Sequence, residues 1–144
     1  MPPPTGNCTD LDLVNEPVPI EQVAEDTPPV DATGGSISTG IYQLTSFTIY
    51  TGPNGASGEA GTVDARIRVT SAKDGWNVES VASTNQEAPQ KSESAAVISA
   101  PGALAVTTYC PTLSPSENVP YSFDGVTLTL FVSDTEEQFT LVTK

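Results

Sequence analysis

Two Asp-Gly pairs punctuate the chain, Asp74-Gly75 in "AKDGWNVESV" and Asp124-Gly125 in "SFDGVTLTL", each flanked by residues of alternating polarity. A two-residue Asp-Gly loop is a type I′ hairpin signal, because glycine takes positive φ without penalty and aspartate tolerates it. The first loop sets Lys73 against Trp76, so that Ile67 faces Ala82, Val69 faces Ser80 and Ser71 faces Val78. The second sets Phe123 against Val126, Tyr121 against Leu128 and Val119 against Leu130. In both, the apolar residues gather on one face. Two further turns give the same result: "SAPGAL" opposes Ser99 with Leu104 and Val97 with Val106, and a four-residue loop over 134–137 opposes Val132 with Phe139 and Leu130 with Leu141. Slipping any of them by one residue would turn a hydrophobic row into water, so the sequence predicts a chain of antiparallel hairpins.

Eight strands are predicted, at 40–51, 62–73, 76–84, 94–99, 103–110, 119–124, 126–133 and 138–143. Within the first, Tyr42 and Leu44 share one parity while Phe47 and Ile49 share the other, which calls for a bulge or strong bend. Tight connections alternate with longer ones, "GPNGASGEAG", "NQEAPQKSE", "PTLSPSEN" and "DTEE". In a meander, alternate connections lie at the same end, so the short turns make a floor and the long loops a mouth. The predicted fold is all-β, an eight-stranded antiparallel up-and-down β-barrel over residues 36–144, whose closure removes exposed edge strands. A β-sandwich of the same strands is the alternative, and pairing between the first and last strands separates the two.

Residues 1–35 differ in composition. They carry seven acidic residues (Asp10, Asp12, Glu16, Glu21, Glu25, Asp26, Asp31) and no basic one, and their prolines favour extended backbone. Leu11, Leu13, Val14, Val18 and Ile20 give this segment apolar material to dock, so an ordered, extended arm is expected. Cys8 and Cys110 are the two cysteines, outside any metal-binding spacing; the readings are a disulfide in a secreted protein or two unrelated buried thiols. A disulfide would hold the arm near the mouth, from where it would descend the outer wall.

The net charge of −13 repels phosphates and anionic lipid headgroups, which disfavours nucleic acid and anionic membrane surfaces as partners. No apolar run approaches eighteen residues, so no transmembrane helix is expected. Met1 followed by "PPPTGN" reads as a start placed after a removed leader.

"GIY" at Gly40-Ile41-Tyr42 sits where lipocalins and the wider calycin group carry G-x-W at the start of the first strand, and the long first loop also matches. Residues 36–144 thus resemble a lipocalin-like barrel. The acidic arm, "GGSISTGIYQLTS" and "YSFDGVTLTLF" are in turn similar to uncharacterised secreted bacterial lipoproteins. The resemblance implies a small hydrophobic ligand. It also implies a secreted, periplasmic or outer-membrane-anchored bacterial location, and a lipid anchor in the native precursor.

The chain has no histidine, which removes His-dependent nucleophilic and acid–base catalysis and His-ligated zinc. "GPNGASGEAG" lacks the lysine of a phosphate loop. Asp10 and Asp12 could contribute to a calcium site, but their spacing departs from the D-x-D-x-D-G pattern and a solvated acidic arm is the simpler reading. "NCT" at 7–9 formally fits a glycosylation acceptor and reads as coincidence. Every acidic residue is expected in a loop, in the arm or on an outward strand position, so no catalytic carboxylate pair and no cofactor are expected.

The inward face is the remaining candidate site. Tyr42, Leu44, Ile67, Val69, Trp76, Val78, Val106, Tyr121 and Leu128 are the expected pocket residues, with Val97, Leu104, Phe123 and Leu130 also inward. Small inward residues (Ala65, Ser71, Ser80, Ala82, Ala95, Ser99) leave space for a ligand or ease the taper of a filled core. Trp76, beside the floor turn, is expected to seal the bottom. No inward basic residue except Lys73 could clamp a carboxylate, so a ligand would be neutral. The sequence therefore points to a non-catalytic binding protein for a small apolar neutral molecule. Its alternative is a structural or adhesive surface module whose long loops meet other envelope proteins.

Overall fold

Alternating Val, Ile, Thr and aromatic residues fit a pleated, half-buried surface, and these stretches form nine strands in a single sheet. The structure, a computed structural model, describes residues 8–26, 32–132 and 134–143. The strands are β1 Val18–Val23, β2 Gly40–Tyr50, β3 Gly58–Ala72, β4 Gly75–Thr84, β5 Gln90–Ala100, β6 Ala103–Cys110, β7 Glu117–Phe123, β8 Thr127–Val132 and β9 Thr135–Thr143. Among the described residues there is no helix.

Strands β2 to β9 pair each with the next, antiparallel, and β9 returns to pair with β2 from Ile41↔Thr143 to Ile49↔Thr135. The sheet closes in a barrel-like ring, which removes the two open edges a sandwich would keep. The expected eight antiparallel strands are one short of the observed sheet, because part of the arm enters it. β2 and β3 pair only from Gly40↔Val69 to Gln43↔Arg66. Beyond that seam they splay, and β1 fills the gap, parallel to β2 (Ile20↔Phe47) and antiparallel to β3 (Val18↔Val63). Ile20 is buried in the core and Val18 packs against it. The arm's apolar residues thus complete the wall, and the sheet is mixed.

The bulge expected in β2 is present. Its ladder with β9 slips between Leu44 and Ser46, after which Phe47 and Ile49 return to the core side. The hairpin registers differ from expectation. The β3–β4 turn is Lys73-Asp74, with Ala72↔Gly75, Ser71↔Trp76 and Val69↔Val78. The β7–β8 hairpin pairs Phe123↔Leu128 and Tyr121↔Leu130. Both are displaced by two residues, which preserves the face of every side chain.

The physical reasons differ at the two turns. The Asp124 carboxylate accepts the backbone N–H groups of Val126 (2.9 Å) and Thr127 (2.7 Å), which opens a wider loop around Gly125 at φ +105°. Gly75 has no positive φ. A Cβ built there would lie 2.1 Å from the Ala96 carbonyl oxygen on β5, so glycine is needed for close approach of two strands. Gly75→Ala is expected to cost about 1–3 kcal/mol by overpacking, measured as a lower urea midpoint at unchanged slope.

One correction changes faces. The β5–β6 ladder slips between Ile98 and Ala100, giving Ile98↔Leu104 and Ala96↔Val106. This odd shift puts Ala96 inside and turns Val97 and Ala95 outward; Val97 is 38% exposed. Ser99, at the slip, is exposed rather than interior. The last hairpin is tighter than expected, with Val132↔Thr135 and Leu130↔Glu137. β9 therefore begins before its acidic pair, and Glu137 lies on the inward side between Phe47 and Leu130. The expectation that every acidic residue points outward or lies in a loop or the arm fails at this residue.

Cys8 and Cys110 form a disulfide, with their Cα atoms 5.7 Å apart. From there the arm crosses the outer wall of β5, β4 and β3. Thr9 donates to Glu79 (2.6 Å), Arg68 donates to Asp10 (3.0 Å), Lys91 donates to Asp12 (3.1 Å), and the Glu16 N–H donates to Asp64 (3.0 Å). Leu11, on the arm, and Val81, on the outer face of β4, are both buried. The arm covers this outer wall, along which it was expected to descend.

Candidate functional site

The interior of the ring divides into a filled part and an empty one. Tyr42, Leu44, Phe139 and Val63 belong to the packed core, and Tyr42 has no exposed surface. The floor is sealed by residues 34–38. Ile37 is buried there and its carbonyl accepts the Trp76 indole N–H at 3.1 Å. Tyr121 donates its hydroxyl to the Gly35 carbonyl and Tyr42 donates to the Ser38 carbonyl, each at 2.6 Å. Gly34 bridges to β7, its N–H donating to the Tyr121 carbonyl at 3.0 Å. These bonds satisfy polar groups that would otherwise be buried without partners. Burial pushes the Tyr42 and Tyr121 hydroxyls above the usual tyrosine range, so both remain neutral donors.

Above Ile37 lies a cavity of about 180 Å³. Six of the nine expected pocket residues line it: Ile67, Val69, Trp76, Val78, Val106 and Leu128. The other three, Tyr42, Leu44 and Tyr121, do not reach it and instead fill the core and floor. Leu104 and Leu130 also line the cavity, on the inward face expected for them. The sequence reading missed Ile37, Ser94, Ala96, Glu117, Val119 and Val132, which complete the wall. Ser94 and Ala96 were missed because the β5 slip reverses parity. The hint for Ile37 was its being the lone branched apolar residue between "GGS" and "STG".

Among the described residues the β7–β8 pairs run from Phe123↔Leu128 to Tyr121↔Leu130, and the next β7 residue, Pro120, has no N–H to offer β8. Val119 and Glu117 on β7 and Val132 on β8 line the cavity beyond this point.

The cavity's chemistry is narrow. Ser94 is its one buried polar side chain, and its hydroxyl shares a 3.0 Å hydrogen bond with that of Thr108. Glu117, at the exposed start of β7, is the one charged lining residue. Among the described residues no basic side chain lines it: Arg68 and Lys91 are engaged on the outer wall, Arg66 donates to Gln43 there at 2.9 Å, and Lys73 sits in an exposed turn.

Glu137 stands apart from the cavity on the same inward side. Burial among apolar neighbours pushes its carboxyl up to about 7, with the nearby Thr135 hydroxyl a smaller, opposing influence. Asp10 and Asp12 point at different cations, Arg68 and Lys91, and among the described residues no group of three or more ligating side chains could hold a metal ion. Arg68 holds the Asp10 carboxyl below the usual carboxylate range. No helix among the described residues is long and apolar enough to cross a membrane. In comparisons with known proteins, the chain matches no family model, no curated protein and no solved structure.

Proposed function

We propose that this protein is a non-catalytic binding protein that holds a small apolar molecule inside a lipocalin-like barrel of eight strands, β2 to β9, completed by β1. The observation that carries the reading is the cavity of about 180 Å³ with an almost wholly apolar lining, inside a core that is otherwise closely packed. A solid structural barrel would have filled that space, since an empty apolar cavity costs stability in proportion to its volume. The chain spends its polar groups on the floor and the outer wall and leaves the cavity bare, which suits transfer of an apolar ligand from water.

The disulfide is stable in oxidising compartments, which supports a secreted or periplasmic setting, with an anchored lipoprotein precursor as the fuller version of that proposal. The competing role is an adhesive surface module. It draws on Leu113, 78% exposed in the β6–β7 loop, and on the exposed Tyr109 near it.

Native mass spectrometry of the purified protein tests the reading. A discrete adduct that leaves on organic extraction is the expected result. A bare mass that persists after incubation with mixed envelope lipids and small apolar compounds would favour the adhesive module.

A further inference from the structure

The cavity's size, walls and charge restrict its occupant further than "apolar", and this inference rests on the binding reading above. We propose that the site takes a compact, uncharged, single-ring hydrophobic molecule bearing at most one hydroxyl or carbonyl group, and that it rejects long-chain fatty acids. An apolar cavity of about 150 Å³ is enough to hold benzene, and this one is about 180 Å³. A long acyl chain would need to continue along the ring axis. Toward the floor that path is blocked by Ile37, held in place through the Trp76 indole, and toward β2 and β9 by Tyr42, Leu44 and Phe139.

Charge and hydrogen bonding narrow the class again. A carboxylate entering the cavity would lose its hydration with no basic side chain to replace it, and would meet Glu117 at the edge. A neutral hydroxyl or carbonyl fares better. The Ser94 and Thr108 hydroxyls use one hydrogen in their mutual bond, which leaves a second hydroxyl hydrogen and spare lone pairs. Since Ser94 lines the cavity, that pair offers one polar handle in an otherwise apolar wall.

The test is titration of the intact, disulfide-bonded protein with toluene, p-cresol, benzoate and dodecanoate, followed by methyl NMR and thermal shift. Toluene and p-cresol are expected to saturate, with shifts concentrated at Val78, Val106, Leu128 and Leu130. Benzoate and dodecanoate are expected to produce neither effect. Ser94→Ala should weaken p-cresol about five- to tenfold, the worth of one hydrogen bond, and leave toluene unchanged. Ala96→Leu should fill the space and abolish binding of both while the protein stays folded.

Saturable dodecanoate binding at these methyls would overturn the single-ring assignment and leave the binding reading standing. Equal weakening of toluene and p-cresol by Ser94→Ala would overturn the polar handle. If no probe binds and Ala96→Leu simply raises the melting temperature, the cavity is a packing defect and both readings fall.

Discussion

Removing the Cys8–Cys110 disulfide is expected to lower stability by about 4–5 kcal/mol, the largest single loss foreseen for this chain. The bridge closes a loop with a sequence separation of 102. For a loop of about one hundred residues, the loss of denatured-state entropy is worth about 4.7 kcal/mol. Other contacts near Cys8 cannot replace it. The Asp10–Arg68 and Asp12–Lys91 pairs leave their carboxylates largely in water, where such pairs contribute little. In a chain of this size the loss corresponds to about 10–20 °C in melting temperature.

The paired variant Cys8→Ser/Cys110→Ser avoids reshuffling and should show this drop in calorimetry. It should also free the arm for cleavage after Leu11 and Leu13 by chymotrypsin, because the stretch before β1 is then held only by surface contacts. Unchanged melting and cleavage would show that the outer-wall contacts and β1 hold the arm without the bridge.

The second large effect concerns Glu137. Its carboxyl titrates at about 7 in the folded protein against an ordinary value of 4.5. Between those values the folded state keeps a proton that the unfolded chain has released. Stability is therefore highest below about 4.5, falls as pH rises through this window, and carries the full penalty above about 7. The shift corresponds to about 3 kcal/mol, and the side chain's remaining exposure brings the expectation to about 2–3 kcal/mol.

Glu137→Gln should be more stable than the parent by that amount at pH 8, and the difference should vanish near pH 4, where the parent carboxyl is protonated and close to glutamine in shape. The groups around Glu137 leave the sign unopposed. Phe47 on β2 and Leu130 on β8 are apolar, Thr135 supplies a hydroxyl, and Glu136 turns outward to accept from Tyr50. Asp10 and Asp124 are held below their usual range by Arg68 and by backbone N–H groups respectively. Their contributions are lost only as pH falls below the ordinary carboxylate value, outside the window in which Glu137 acts. Paired urea unfolding curves at the two pH values measure the effect. A parent and variant that differ equally at both would place Glu137 in water.

Much of the fold was legible because strand faces have a period of two. Any hairpin shifted by two or four residues keeps its apolar row inside, so the β3–β4, β7–β8 and β8–β9 pairs were placed on the right faces in the wrong register. The β5–β6 pair failed because a one-residue slip reverses everything beyond it, and Ala, Ser and Val in "SAAVISA" give weak contrast between faces. Glu137 escaped notice for a related reason. An acidic pair after Asp134 looks like loop chemistry, and only a tight turn closing at Val132↔Thr135 carries it into the strand.

Alternation and turn residues by themselves determined an all-β meander, and they put Ile67, Val69, Trp76, Val78, Val106 and Leu128 on the face that lines the cavity, whereas the expected division into short floor turns and long mouth loops fails at the tight β8–β9 turn. Local periodicity carries that much, since it depends only on neighbours in the chain. Ring closure, the insertion of Val18–Val23 between β2 and β3, the pairing of Cys8 with Cys110 and the plug at Ile37 were decided by the tertiary structure. Each joins segments distant in sequence. Which apolar stretch fills which gap depends on the volume left by all the others, and no local pattern encodes it.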